Sequence, residues 1–238
     1  GGYNVLMLTG GNTKTATANI TVNSTLHIPS GNTFNLSTFT LAGASLINTG
    51  TGTLITASTS GTALPTGRSW TSAVSYQSAN AQTLINGTYQ NLDLQSAGNK
   101  SANGAVTVNG ILSIASGVTM VMGTNQLSGT ISSTSGTGTL STANTGTTPI
   151  PSGRTWSFAV NYLSTALQTI VAGNYTDLTA SGGSRTLASS GTIGISGVFT
   201  PGAGTYTVTG STVDFNGSGA QTIPAMTFNN LISSNTGA

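Results

Sequence analysis

Two Arg-x-Trp segments are the residues of this chain best suited to chemistry. Arg68 with Trp70 recurs 86 positions later as Arg154 with Trp156. The face of a Trp ring binds a pyranose through C–H contacts, and an Arg guanidinium donates hydrogen bonds to polar groups such as sugar hydroxyls. These four residues are therefore a candidate glycan contact that is presented once per repeat.

The same segments also fit a purely structural corner, in which Trp covers the end of a coil and Arg stacks on the indole. We favour the corner, because the third copy of the repeat described below lacks Arg-x-Trp and does not replace it. Carbohydrate binding at the two Arg-x-Trp segments remains the alternative.

Other constellations that could carry out catalysis or bind metal are missing from the sequence. His27 is the only histidine and its equivalent in the next copy is Ser113, so we expect an outward, solvated strand residue rather than a general base. The chain has no Cys and no Glu, and its three aspartates do not form an Asp-x-Asp calcium loop. Paired carboxylates at matching repeat positions, which a glycosidase needs, are also absent. We therefore expect no enzymatic activity, no metal site and no cofactor.

The composition indicates strands and turns rather than an ordinary globular domain. Only 3% of the 238 residues are charged, where about 25% is usual. Thr, Gly, Ser and Asn together occupy 130 positions. The five cations are scattered singly, whereas nucleic-acid binding needs clustered Lys and Arg. No apolar run approaches the roughly 18 residues of a membrane helix, so we expect neither nucleic acid nor a membrane span.

Tandem copies of an 86-residue unit make up the chain. Tyr3, Tyr89 and Tyr175 are spaced by 86 residues, and a glycine stands two positions before each of them. The copies are residues 3–88, 89–174, 175–227 and 228–238. The third copy is 33 residues shorter than the first two, and the fourth is only the start of a copy. We predict that residues 1–238 form one continuous array.

The unequal copies favour a solenoid over a string of separate beads. An immunoglobulin-like sandwich would lose several core strands with 33 residues. A solenoid tolerates the loss of whole coils, because each coil contacts only its neighbours. Coils of about 17 residues fit five times into 86 residues and three times into 53. This coil length predicts roughly 14 coils and, at about 4.8 Å per coil, a rod on the order of 65 Å long.

Short alternating segments predict the strands. Apolar and polar residues alternate in Ile20-Thr21-Val22-Asn23 and in Val106-Thr107-Val108, which is the period of a strand with one buried face. Gly-Asn, Asn-Gly and Pro-Gly pairs between such segments predict turns. The predicted fold class is all-β, a parallel β-helix or β-solenoid of short strands. The predicted inward residues are Leu6, Leu8, Ile20, Val22, Leu26, Ile28, Leu92, Leu94, Val106, Val108, Leu112 and Ile114.

A motif that runs through the repeat resembles a known family. It reads Val-x-Tyr/Phe-(x)5-Gln-Thr-Ile/Leu, then Gly-x-Tyr-x-x-Leu, then Val-Thr-Val-Asn-Gly-x-Leu-x-Ile. Here it comprises Val74, Tyr76, Gln82, Thr83, Leu84, Gly87, Tyr89, Leu92 and residues 106–114. The motif resembles the "beta strand repeat" surface proteins common in Bacteroidota, which are similar to filamentous-haemagglutinin-like adhesin stalks. The resemblance implies an extracellular or cell-surface location.

Tandem copies lengthen a rod without adding chemistry, so the sequence predicts a structural, non-catalytic segment of an extracellular stalk, adhesin or filament. A nearly uncharged surface of Thr, Ser and Asn gives little repulsion between neighbouring chains. The expected partners are further copies of the repeat, other chains side by side or end to end in a fibre, and surface glycans. Ice binding is a weaker alternative, because the Thr-x-Thr segments, such as Thr51-Gly52-Thr53, recur at irregular spacing.

Overall fold

The structure is a computed structural model that describes residues 2–237. Gly1 and Ala238, the two ends of the predicted array, lie outside the described residues. Residues 2–237 contain 28 strands and no helix, and the sheets are parallel. The predicted all-β parallel β-solenoid is therefore confirmed.

The strands form five sheets. The four-stranded sheet contains β1 (Gly2–Met7), β3 (Ile20–His27), β5 (Leu41–Ala42) and β6 (Ile47–Thr49). The nine-stranded sheet contains β2 (Asn12–Thr15), β4 (Asn32–Asn35), β7 (Thr53–Thr56), β8 (Arg68–Tyr76), β10 (Gly87–Leu94), β12 (Val106–Val108), β13 (Ile111–Ile114), β15 (Leu127–Ser128) and β16 (Ser133–Ser135).

The other three sheets lie further along the rod. The seven-stranded sheet contains β9 (Gln82–Leu84), β11 (Gly98–Ala102), β14 (Val118–Val121), β17 (Thr139–Thr142), β19 (Ala159–Tyr162), β22 (Leu178–Ala180) and β25 (Phe199–Pro201). The five-stranded sheet contains β18 (Arg154–Trp156), β21 (Gly173–Tyr175), β24 (Thr192–Ile195), β27 (Thr212–Phe215) and β28 (Asn230–Ser233). The three-stranded sheet contains β20 (Gln168–Ile170), β23 (Arg185–Leu187) and β26 (Tyr206–Thr207).

The turns of the solenoid form three faces, most of which carry a strand in each turn. For example, one turn pairs with the next on all three faces: Tyr89 pairs with Val108, Leu92 with Leu112 and Lys100 with Met120. Each of these pairs joins residues about one turn apart, and the chain makes about 12 turns of roughly 20 residues. The predicted coil of about 17 residues is therefore too short. That value assumed a whole number of coils in each 86-residue unit, and the unit does not contain one.

The first two copies of the unit are out of phase with the faces of the solenoid. The column of strands that reaches Tyr89 runs down through Trp70 and Leu26 to Leu6. It does not contain Tyr3, the residue that occupies the same place in the repeat. At roughly 20 residues per turn, 86 residues make about four and one-third turns. Equivalent residues of successive copies therefore lie on neighbouring faces.

The second and third copies show the same shift. In the column of Tyr175, the strand below contains Trp156. A hydrogen bond from the Thr134 hydroxyl to the Thr155 carbonyl links that strand to β16. The column then continues through Leu112 to its partner on β10. It does not pass through Tyr89. Successive copies are therefore offset by one strand with its corner, which is a third of a turn. The smallest unit that can be added to or removed from this solenoid is that strand and corner rather than a whole coil.

Apolar side chains fill the interior along the whole rod. Ten of the twelve residues predicted to point inward are buried. Leu6 and Ile20 are only partly buried against the core. Both belong to the first strands of the chain, and β1 has a partner strand on one side only, β3. The predicted inward orientation is confirmed for the ten buried residues.

Glycines at the corners permit one turn to lie directly on the next. Gly50 and Gly136 occupy the same repeat position and have φ angles of 87° and 92°. A Cβ at these positions would lie 2.2 and 2.0 Å from the carbonyl oxygens of Ile28 and Ile114 in the turn below. Both the backbone conformation and the close approach therefore require glycine.

Candidate functional site

The Arg-x-Trp segments lie at corners of the solenoid, at the start of β8 and on β18. Trp70 and Trp156 are 1% and 0% exposed, whereas Arg68 and Arg154 are half-buried. The indole rings therefore offer no face on which a sugar could stack. This corrects the expectation of a Trp platform for glycans, because the rings form part of the core.

Each Arg of the motif reaches the corner of the turn below. Arg68 donates a hydrogen bond through Nη2 to the Ala44 carbonyl. Arg154 donates through Nη1 to the Ile131 carbonyl at 3.4 Å. The Nε atoms of both arginines are buried without a hydrogen-bond partner. The two guanidinium groups tie corners together, and each makes one hydrogen bond to the described chain.

The two arginines line different grooves. The groove beside Arg154 has a volume of about 390 Å³ and is lined mainly by hydroxyl side chains, including Ser132, Ser133 and Thr155. The groove beside Arg68, of about 340 Å³, is lined by more apolar residues, such as Leu64. Residues that are equivalent in the sequence therefore have different surroundings.

The glutamine of the repeat motif fastens each turn to the one below it. The amide oxygen of Gln168 accepts a hydrogen bond from the Ser164 backbone N–H, at 3.2 Å. Its amide nitrogen donates to the carbonyls of Thr142 and Asn144, at 3.1 and 2.9 Å. Gln82 makes the same three bonds in the first copy. The glutamine of the motif therefore has a structural role, which is to hydrogen-bond the backbone at a corner.

Replacing Gln168 by Leu should lower the free energy of unfolding by on the order of 3 kcal/mol, because three backbone groups, two of them buried, would lose their partner. Denaturant titration followed by circular dichroism measures this loss. The matched control is Gln221→Leu, since Gln221 makes the same bonds but is partly exposed near the C-terminal end. Equal losses in the two variants would contradict the proposed role of burial.

Two pairs of tyrosines form a second repeated internal contact. The hydroxyls of Tyr162 and Tyr175 lie 3.1 Å apart, and Tyr175 donates to the Val171 carbonyl at 2.8 Å. The hydroxyls of Tyr76 and Tyr89 form the same pair at 3.2 Å. Burial raises the pKa of Tyr76 and of Tyr162 to about 12, and it raises the pKa of their partners well above the usual 10.

These raised pKa values predict a loss of stability in alkali. The folded state keeps its tyrosine protons above pH 10 while the unfolded chain releases them, so stability is complete below pH 10 and falls as the pH rises. At pH 11 each hydroxyl with a pKa of about 12 costs about 1.4 kcal/mol. Burial lowers the pKa of Lys100 and of Arg185, and these two groups act in the opposite sense.

The measurement is thermal unfolding at pH 8 and at pH 11, on the parent and on the Tyr76→Phe, Tyr89→Phe double variant. We expect a large fall in melting temperature for the parent. The double variant should be less stable at pH 8 but should lose clearly less between the two pH values. An identical pH dependence in the two proteins would show that this tyrosine pair does not titrate as described.

Two of the five cations are inside the solenoid. Lys100 lies one turn above Gln82, and Arg185 lies one turn above Gln168. Both side chains are 0% exposed, and burial lowers the pKa of each. Their partners are backbone carbonyls, those of Ser78, Asn80 and Ala97 for Lys100, and those of Tyr162, Ser164, Ser181, Gly183 and Ser184 for Arg185. Carbonyl dipoles rather than carboxylates stabilise these buried charges.

The remaining titratable residues are spread over the surface. His27 is half-buried, and its Nδ1 lies 2.9 Å from the Thr49 hydroxyl in the next turn. Asp93, Asp177 and Asp214 accept hydrogen bonds from neighbouring side chains or backbone. Within residues 2–237, no three His, Cys, Asp or Glu side chains come together in a way that could hold a metal ion.

The sequence interpretation missed the internal roles of the glutamines, the paired tyrosines and the two buried cations. Their signal was the recurrence of the same polar residue at the same repeat position among apolar strand residues. Lys14 and Lys100 repeat at 86 residues, but Lys14 is exposed in the first turn whereas Lys100 has a turn on either side. Burial of the lysine therefore depends on its place in the array, which the local sequence does not show.

Comparison of the chain with known protein families, with curated proteins and with solved structures found no match. In the described part of the chain, no helix is long and apolar enough to cross a membrane.

Proposed function

We propose that this chain is a structural, non-catalytic segment of an extracellular stalk, adhesin or filament at a cell surface. The observation that carries the proposal is that the buried polar residues of the repeat make their hydrogen bonds inside the rod: the glutamines and buried cations join turns, and the paired tyrosines join two faces. The glutamines, the paired tyrosines and the buried cations all bond to neighbouring backbone or to each other. A spacer requires a repeat whose polar side chains stabilise the rod itself rather than bind a ligand.

The balance of surface charge also supports a spacer. The net charge of +2 equals the two buried cations, Lys100 and Arg185. The other three cations are matched by three aspartates, none of which is buried. The charged groups outside the core therefore sum to zero, and a total of +2 on 238 residues gives little repulsion between neighbouring rods. This favours association of the chain with further copies of the repeat.

The resemblance of the repeat motif to the beta strand repeat proteins supports the proposed location at the cell surface. Antibody labelling of intact cells tests that location, and label that appears only after the cells are opened would contradict it.

Small-angle scattering and electron microscopy of the purified chain test the rod. At about 4.8 Å per turn, about 12 turns should give a rod roughly 58 Å long. This value replaces the length expected from 14 coils. A scattering curve of a compact sphere, or images of two separate globules, would rule out a spacer of this kind.

A further inference from the structure

The groove beside Arg154 has the size and the lining of a site for a small polar ligand. Its volume of about 390 Å³ falls within the range of about 300–1,000 Å³ found for small-molecule sites. Ser132, Ser133 and Thr155 line it with exposed hydroxyl groups, and Ser157 contributes a half-buried one. None of the side chains that line it in the described structure is acidic.

The Arg154 guanidinium makes one hydrogen bond to the described chain. Its bond to the Ile131 carbonyl, at 3.4 Å, is longer than the 2.7–3.2 Å typical of N–H···O bonds. Its Nε is buried and has no partner. A guanidinium that is partly removed from water and poorly bonded is well placed to form charge-assisted hydrogen bonds with a carboxylate.

Backbone strain occurs at the same groove. Ile131, a buried residue of the lining, has a φ of 27°, which is unfavourable for a β-branched side chain. The equivalent residue in the first copy, Ser45, does not have a positive φ. Such strain persists only where the surroundings enforce it, and it is frequent at ligand sites. It also distinguishes the corner of Arg154 from the corner of Arg68.

We propose that the groove beside Arg154 binds a carboxylate-bearing saccharide. The guanidinium binds the carboxylate, and the hydroxyls of Ser132, Ser133 and Thr155 form hydrogen bonds with the sugar hydroxyls. The side chains of an acidic peptide would satisfy the guanidinium but only accept hydrogen bonds, whereas sugar hydroxyls both donate to and accept from the lining hydroxyls, so the saccharide fits better. This assignment goes beyond the proposed spacer function and does not depend on it.

Calorimetric titration of the full chain with trigalacturonate tests the proposal. We expect saturable binding that weakens with added salt, and no binding of the uncharged galactose trisaccharide. Arg154→Ala should weaken binding at least tenfold, and Arg154→Lys should weaken it less, because Lys keeps the charge but loses the fork of donors. Arg68→Ala is the matched control and should bind like the parent.

A second variant blocks the groove without touching the arginine. Ser132→Phe should also abolish binding, while its melting temperature and scattering curve stay those of the parent. Undiminished binding in Arg154→Ala, or equal loss in Arg68→Ala, would overturn the site. Equal binding of hexa-aspartate would overturn the saccharide in favour of an acidic peptide. Scattering of the same variants reports the rod separately, so a failed site and a failed spacer can be told apart.

Discussion

Replacing Val108 by Asp is expected to unfold most of the solenoid. Val108 is 0% exposed and stacks on Tyr89 in the turn below. No cation lies at the neighbouring positions of its column, Tyr89 and Gly129, so a carboxylate would be buried without an ionic partner. The cost should be several kcal/mol, a large share of the 5–15 kcal/mol that stabilises an ordinary domain.

Thermal unfolding followed by circular dichroism measures this effect. The control is Thr107→Asp, because Thr107 is the neighbouring residue but points outward and shares only a hydroxyl contact with Ser128. We expect a loss of about 1 kcal/mol or less in the control. If Val108→Asp melted like the parent, the inward register of β12 would be refuted.

Removing residues 125–157 should leave a folded, shorter rod. These 33 residues, which include Arg154 and Trp156, correspond to the part that the third copy lacks. They make about one and two-thirds turns, so the deletion removes a whole number of strands with their corners. The strands after the deletion then move to other faces, as they already do between the natural copies.

Removing only residues 125–140 should be far more damaging. This deletion ends inside β17, so the inward residues that follow would no longer meet the columns below them. We expect cooperative melting for the 33-residue deletion and loss of the cooperative transition for the 16-residue one. Equal damage in the two proteins would favour an indivisible 86-residue domain over a solenoid.

The sequence was sufficient to predict the solenoid and its buried columns because both depend on local alternation. In Val106-Thr107-Val108, the alternation of apolar and polar residues alone indicates which side chains point inward, and no other turn has to be known. The coil length could not be read in this way. It depends on how many residues each corner takes up, and corners such as that of Gly50 are defined by contact with the turn below.

The candidate glycan contact stays a prediction as a location, but burial of Trp70 and Trp156 contradicts sugar stacking on their rings. Sequence spacing identified the Arg-x-Trp corners, but it could not show that Trp70 and Trp156 point into the core. It also could not distinguish Arg68 from Arg154, because their difference arises from the backbone at Ile131 in the turn below. Contacts between turns link residues about 20 positions apart, beyond the reach of a local motif.

The extra third of a turn in each 86-residue unit has a geometric consequence for assembly. Each full copy is related to the next by a rotation of about 120° and, at about 4.8 Å per turn, a translation of about 21 Å. An array built only of full copies would therefore follow a threefold screw axis, and after three copies each of its three faces would have presented the same surface at a different height. If such rods associate side by side as proposed, this symmetry would give each rod equivalent contacts in three directions, and we would expect hexagonal bundles rather than flat ribbons.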